Sequence, residues 1–246
     1  MRTVSIDSIT REFIKINSES GKAYQIISFG AGFDTRLFRF MDEFNKNIGD
    51  LKYFELDFNQ IIEEKRRIID NTVTLKELSH PLRLVSFNLN EKFSNEILGN
   101  DFNPQAPTLI IAECCLMYLT AESGDNLISW TGNSLNSVIF CSFDPILSDD
   151  LNSDRFAKTM LNNFEKRGLD TKSLLKYPSK QSTLNRFLNH FPIVDAFTML
   201  QLERDASTEF LVSKQQRREV SIKTALDEYE EWNMLADHYL LVIAKK

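Results

Sequence analysis

Short apolar runs and helix-period segments take turns along the first part of this chain. Residues 24–29, 51–57, 82–87, 108–113 and 137–144 are the apolar runs, each short enough for one buried strand. Ile6, Ile9, Phe13 and Ile16 recur at helical spacing, so residues 5–16 form a helix, with Asp7 and Ser8 as cap candidates. Residues 17–21 read as a loop by composition. Further helices are expected over 34–40, over 58–69 with its stripe of Ile61, Ile62, Lys65 and Ile68, over a short 93–98, and over 121–135. Strand and helix thus alternate five times, the pattern of a parallel sheet with right-handed crossovers. The run 108–113 is the most apolar and is placed at the centre of that sheet. Beyond it the chain becomes polar: helices over 149–166 and within 170–191, a strand within 191–199, one strongly charged helix over 217–232, and a closing strand over 238–244. Nothing repeats and no Pro/Gly/Ser linker interrupts the chain. The expectation is one domain over 1–246, with a cofactor-binding half (1–148) followed by a helical insertion and closing strands (149–246).

Composition narrows the function classes. A chain of 246 residues with 42% hydrophobic and 26% charged positions can bury a sizeable core. Its formal charge of −6 argues against coating nucleic acid. No apolar run is long enough to span a bilayer, and the start carries an early acid in place of a signal-peptide core. A cytoplasmic protein, free of membrane and nucleic acid, is the expectation. Cys114, Cys115 and Cys141 lack metal spacing and sit in apolar surroundings, which suits buried free thiols in a reducing compartment. His80, His190 and His238 lie far apart in the sequence and read as structural or surface residues; no metal is expected.

The candidate chemistry lies at the ends of the apolar runs. The first ends in Gly30-Ala31-Gly32 and leads into a helix. Glycine there permits a left-handed turn and lets a ligand approach the backbone, and the helix start offers free N–H groups. The third glycine of the dinucleotide fingerprint is replaced by Thr35, which leaves a nucleoside-type cofactor open beside a plain structural turn. Asp57 ends the second run at about the interval of a ribose-binding acid, and a carboxylate can accept from both hydroxyls of a diol. It could equally cap the following helix. Asn88, after the third run, can accept from an exocyclic amine while Leu89 covers a ring face; a turn role is the alternative. Glu113 ends the fourth run, where a buried acid needs a partner, whether ligand or protein. In a parallel sheet these four ends share one edge at the switch point of strand order.

Residues 27–36 (ISFGAGFDTR), 53–58 (YFELDF) and 109–118 (LIIAECCLMY), with Asp154–Arg155–Phe156 and His238–Tyr239, resemble the leucine carboxyl methyltransferase family in the same order over nearly the whole chain. The resemblance implies a class I Rossmann-like, S-adenosylmethionine-dependent α/β fold: a mostly parallel sheet, helices on both faces, and added helices in the C-terminal half. It places Gly30 and Gly32 against the cofactor, Asp57 on the ribose, Asn88 and Leu89 around the adenine, and Glu113 near the methionine end, accepting from the ammonium. The family usually has Asp where this chain has Asn88. Arg2 matches an arginine that binds a carboxylate of cofactor or substrate, and Tyr118 a tyrosine on the substrate side. The implied reaction is methyl esterification of the C-terminal leucine carboxylate of a protein phosphatase 2A catalytic subunit by a monomer. The ionised carboxylate needs no general base, so positioning is the expected catalysis. Family members carry a lid segment before the matching arginine, from which this form is expected to bind cofactor but methylate poorly. Two other readings accompany this one: a tRNA-modifying methyltransferase relative, and a catalytically weak cofactor- or phosphatase-binding protein.

Overall fold

The computed structural model describes residues 1–148, 150, 151, 153–224 and 228–246. In chain order its elements are α1 (Arg2–Ser18), β1 (Tyr24–Phe29), α2 (Arg36–Glu43), β2 (Leu51–Asp57), α3 (Asn59–Asp70), α4 (Val73–Leu78), β3 (Leu82–Ser86), β4 (Thr108–Glu113), α5 (Ala121–Ser134) and β5 (Val138–Pro145). There follow α6 (Arg155–Lys166), α7 (Lys172–Lys176), α8 (Lys180–Leu188), β6 (Ile193–Thr198), α9 (Met199–Arg204), α10 (Lys214–Thr224), α11 (Tyr229–Asp237) and β7 (Tyr239–Lys245). The strands form one seven-stranded sheet in the order β3-β2-β1-β4-β5-β7-β6. The first five are parallel, and β7 runs antiparallel between β5 and β6. This is the mostly parallel α/β sheet that the alternation of runs implied, with β4 at its centre.

Side-chain alternation assigns each strand residue to one of two cores. Ile26, Leu109, Ile111, Phe143 and Ile243 face the layer made by α1, α2, α9 and α11, where Phe13, Leu37, Leu202 and Ala236 meet them. Ile27, Phe29, Ile110, Phe140 and Val242 face the layer made by α5 and α8, against Leu127, Ile128 and Phe187. Every residue of β1 is buried, as is required of a strand covered on both faces. Burying each such apolar side chain contributes about 1.5–3 kcal/mol before chain entropy is counted.

Several boundaries differ from the sequence expectation for identifiable reasons. α1 begins at Arg2, so Asp7 is interior to the helix; it faces arginines of α2 and caps nothing. α4 was not anticipated, because Val73 and Thr74 are β-branched and disguise a single helical pass. The charged helix expected over 217–232 is two helices, α10 and α11; residues 225–227 lie outside those described. The two are anchored separately. Arg217 of α10 donates to Thr208 Oγ1 at 2.7 Å, and Trp232 of α11 donates to Glu203 of α9 at 2.7 Å. The helix expected from 149 starts at Arg155, where Asp154 accepts from Ala157 N at 2.8 Å; Asp149 and Asn152 lie outside the described residues. Among the described residues no helix is long and apolar enough to cross a membrane.

The α5–α8 layer is packed tightly enough to make one glycine obligatory. A Cβ on Gly132 of α5 would stand 2.7 Å from the carbonyl oxygen of His190 and 2.9 Å from its Cβ. Alanine normally gains about 1 kcal/mol over glycine inside a helix, whereas overpacking a core costs about 1–3 kcal/mol. Backbone cannot yield as a side-chain tip can, so Gly132→Ala is expected to lower stability by up to about 2 kcal/mol. Urea denaturation checks it; a variant more stable than the parent would contradict the packing argument.

Candidate active site

The carboxyl ends of β1, β2, β3 and β4 lie on one edge of the sheet. The break in strand order falls between β1 and β4, where the connections leave in opposite directions and open a crevice. A cleft of about 430 Å³ occupies that position, lined by Arg2, Ser28, Gly30, Phe33, Arg36, Glu113 and neighbouring residues. That volume is within the range of small-molecule sites.

The floor of the cleft is the turn after β1. Gly30 and Gly32 have φ of +62° and +53°, the left-handed region that other residues adopt at a cost. Their reasons for being glycine differ. A Cβ on Gly30 would come within 2.9 Å of Cys115 Sγ, so this glycine lets the turn close against the chain leaving β4. A Cβ on Gly32 would meet nothing within 4 Å, so Gly32 faces open space. The turn is fastened to β2 by two hydrogen bonds. Ala31 N donates to Leu56 O at 3.1 Å, and Gly32 N donates to Asp57 Oδ2 at 2.8 Å.

Asp57 therefore holds the glycine turn. Its Oδ1 accepts from Phe58 N at 2.7 Å, and the first residue of α3 is Asn59 with Phe58 at the cap position. The helix-cap alternative for Asp57 is thus replaced by a turn-fastening role. Each oxygen keeps a lone pair toward solvent or ligand. Asn88 Oδ1 accepts from Asn90 N at 3.1 Å, the local turn geometry that was its alternative reading. Leu89 is buried in the core beside Phe29 and Phe93. Tyr118 sits half exposed on a short turn after β4. Of the residues selected from sequence, Arg2, Gly30 and Glu113 line the cleft, whereas Gly32, Asp57, Asn88, Leu89 and Tyr118 stand outside its lining.

The wall of the cleft is an ion cluster that sequence reading largely missed. Arg36, only 4% exposed, places Nε 2.8 Å from Asp7, Nη1 2.5 Å from Asp34 and Nη2 2.6 Å from Glu113. Burial alone would lower the pKa of Arg36; Asp34 and Glu113 more than offset it, so the guanidinium is held charged. The other oxygen of Glu113 pairs with Arg2 Nε at 2.7 Å. Glu113, expected to accept from a ligand ammonium, thus has both oxygens engaged by arginines. Arg39 completes the cluster on Asp7 at 2.6 Å. Three carboxylates and three guanidiniums balance. The overlooked signal was Arg36 itself, which lies among Leu37, Phe40 and Met41 on the buried side of α2. A cation there must find counter-charges.

Two further acids are buried near this edge. Glu55 of β2 pairs with Lys65, whose ammonium also donates to Asp34 O at 2.7 Å. Burial pushes Glu55 up to about 7, with Lys65 pulling the other way. Asp144, near the end of β5, accepts from Met117 N at 3.3 Å and so braces the turn that carries Tyr118. Among the described residues its Oδ2 is enclosed with no hydrogen-bond partner, and burial pushes this carboxyl up to about 7. Away from the cleft, His238 Nε2 lies 2.9 Å from Asp154 Oδ2, with the Phe156 ring against the imidazole. Those two paired sequence stretches meet in a latch between α6 and β7.

Comparison with known proteins gives concordant matches. The family model described as leucine carboxyl methyltransferase matches residues 1–132. Leucine carboxyl methyltransferase 1 of Schizosaccharomyces pombe is 34% identical over 99% of this chain and 79% of its own length. That of Rattus norvegicus is 30% identical over 90% of this chain and 69% of its own. Among solved structures, the plantazolicin methyltransferase BpumL, in complex with a desmethyl analogue and SAH, superposes with a TM-score of 0.55 at 11% identity, covering 100% of this chain and 84% of that one. An O-methyltransferase family protein from Burkholderia thailandensis gives 0.52 at 12% identity, covering 97% of this chain and 56% of that one. At such identity these structures speak for the fold.

Asp144 supplies a pH test. An aspartate titrates near 3.8 when free and near 7 here. Between those values the folded state holds a proton that the unfolded chain has released, so the contribution of this carboxyl to stability is greatest at low pH and falls as pH rises. The slope from one such group reaches about 1.4 kcal/mol per pH unit. Asp144→Asn, neutral throughout, is expected to lack this downward component, so its Tm rises relative to that of the parent as pH goes from 4 to 7. Equal slopes for parent and variant in thermal melts would contradict a protonated Asp144.

Proposed function

The chain belongs to the leucine carboxyl methyltransferase family, and from that premise we propose that it methylates the C-terminal leucine carboxylate of a protein phosphatase 2A-type catalytic subunit, using S-adenosylmethionine. The observation that carries the reading is the cleft at the β1/β4 switch point, floored by the glycine turn and walled by Arg2 on Glu113. The reading includes a monomer acting in the cytoplasm.

The residues present fit the cofactor. Gly32 leaves open space beside the turn, and Asp57, already fixed by two backbone N–H groups, has acceptor capacity left for a ribose diol. Asn88 and Leu89 follow β3, the strand beside Asp57, on the side where an adenine would lie. Arg2 has donor capacity left on its Nη groups for a carboxylate: Nε pairs with Glu113 and Nη1 donates to Cys114 Sγ at 3.6 Å, a weak acceptor that an oxygen anion can replace. When bound, S-adenosylmethionine supplies a methyl group on a positively charged sulfur. The accepting α-carboxylate, with a pKa of about 3.3–3.7, is ionised at neutral pH and requires no proton removal. The protein's part is to orient, to exclude water and to hold charge in place. The half-exposed Tyr118 hydroxyl is a neutral donor available to the substrate side, and partial burial raises its pKa.

Two measurements test the reading. Mass spectrometry after incubation with S-adenosylmethionine and the phosphatase catalytic subunit is expected to find a base-labile methyl ester on the terminal leucine. Methylation that survives deletion of that leucine would overturn the substrate assignment. In titration calorimetry Asp57→Ala is expected to weaken S-adenosylhomocysteine binding by about 1.5–3 kcal/mol, the scale of hydrogen bonds to a charged group. Parent-like affinity would remove Asp57 from the ribose.

A further inference from the structure

Arg36 touches four parts of the fold at once. Its own helix is α2; its three pairs reach Asp7 on α1, Asp34 in the glycine turn and Glu113 at the end of β4. Glu113 passes the constraint to Arg2, which returns to α1. α1 is therefore pinned at two places, Asp7 and Arg2, by one guanidinium and the carboxylate it holds. Arg36 is nearly enclosed and Arg2 is half exposed, at 4% and 49%. The enclosed arginine is thus the rigid member and the exposed one the member that can reach a ligand.

Stability alone gives a weak reason for such a cluster. Buried ion pairs often gain little over well-packed apolar groups of the same volume. This cluster lies along the wall of the cleft. A fixed fork spares the reorganisation that a mobile arginine would undergo when a carboxylate arrives.

We propose that Arg36 is a positioning residue for carboxylate recognition: through Glu113 it fixes the direction in which Arg2 presents its Nη edge to the amino-acid carboxylate of the cofactor. This rests on the cofactor reading given above. Glu113 then acts as a bridge between two arginines. Arg36 itself touches no ligand in this scheme; it acts through Arg2. A lysine at position 36 would keep the charge and lose the planar fork that meets three carboxylates in three directions.

The test compares two nucleosides on the full chain by calorimetry. S-adenosylhomocysteine carries the amino-acid end; 5′-methylthioadenosine lacks it. Arg36→Lys is expected to weaken S-adenosylhomocysteine about tenfold and to leave 5′-methylthioadenosine within about twofold. The double variant with Arg2→Ala is expected to be no weaker than Arg2→Ala alone, since one residue acts through the other. Should Arg36→Lys fail to fold by circular dichroism, Glu113→Gln carries the same two expectations. Equal loss for both nucleosides, or additive loss in the double variant, would overturn the assignment while leaving the cofactor reading standing. A parent that binds neither nucleoside overturns both together.

Discussion

A guanidinium taken out of water is tolerated only where carboxylates replace its hydration. Arg36 meets that requirement by drawing together parts of the chain that are distant in sequence. Asp7 brings α1 over the sheet edge, Asp34 shapes the turn after β1, and Glu113 fixes the end of β4. Lys65 extends the cluster from Asp34 to Glu55, so α3 and β2 are joined to the same system. The apolar layers determine that a sheet forms here, but apolar contacts are non-directional. The directional pairs determine where the helix ends stand relative to the strand ends, and the cleft is the space those pairs leave.

The sheet was legible because its evidence is local. Apolar runs such as Leu109–Ile111 are buried on both faces, so they read as strands without reference to anything else. The strand ends carried Asp57 and Glu113, and position at a strand end is enough to bring them to one edge. The partners of those acids were harder to read. Asp7 looked like a helix cap, since nothing in its neighbourhood shows that Arg36 and Arg39 lie opposite. The burial of Leu89 in the cluster that holds Phe29 and Phe93 is decided by tertiary packing, which its place after a strand does not reveal. The segment 217–232 reads as one charged helix, whereas α10 and α11 are anchored on different partners, Thr208 and Glu203.

A site built this way differs from one built around a proton-transfer pair. The cleft wall has its formal charges paired: three guanidiniums against three carboxylates. Under the proposed reaction one incoming partner has a positive sulfur and the other a negative carboxylate, and transfer of the methyl group cancels both. Such a reaction is favoured where water is excluded, because hydration stabilises the separated charges more than the transition state. A wall with a free cation would hold the carboxylate too firmly and lower its nucleophilicity. Glu113 shares the charge of Arg2, and Arg36 balances the second oxygen of Glu113, so the reacting charges face each other in a cleft with little field of its own. Under the proposed reaction the paired arginines would serve one end: a nucleophile already ionised needs a fixed direction more than a proton acceptor.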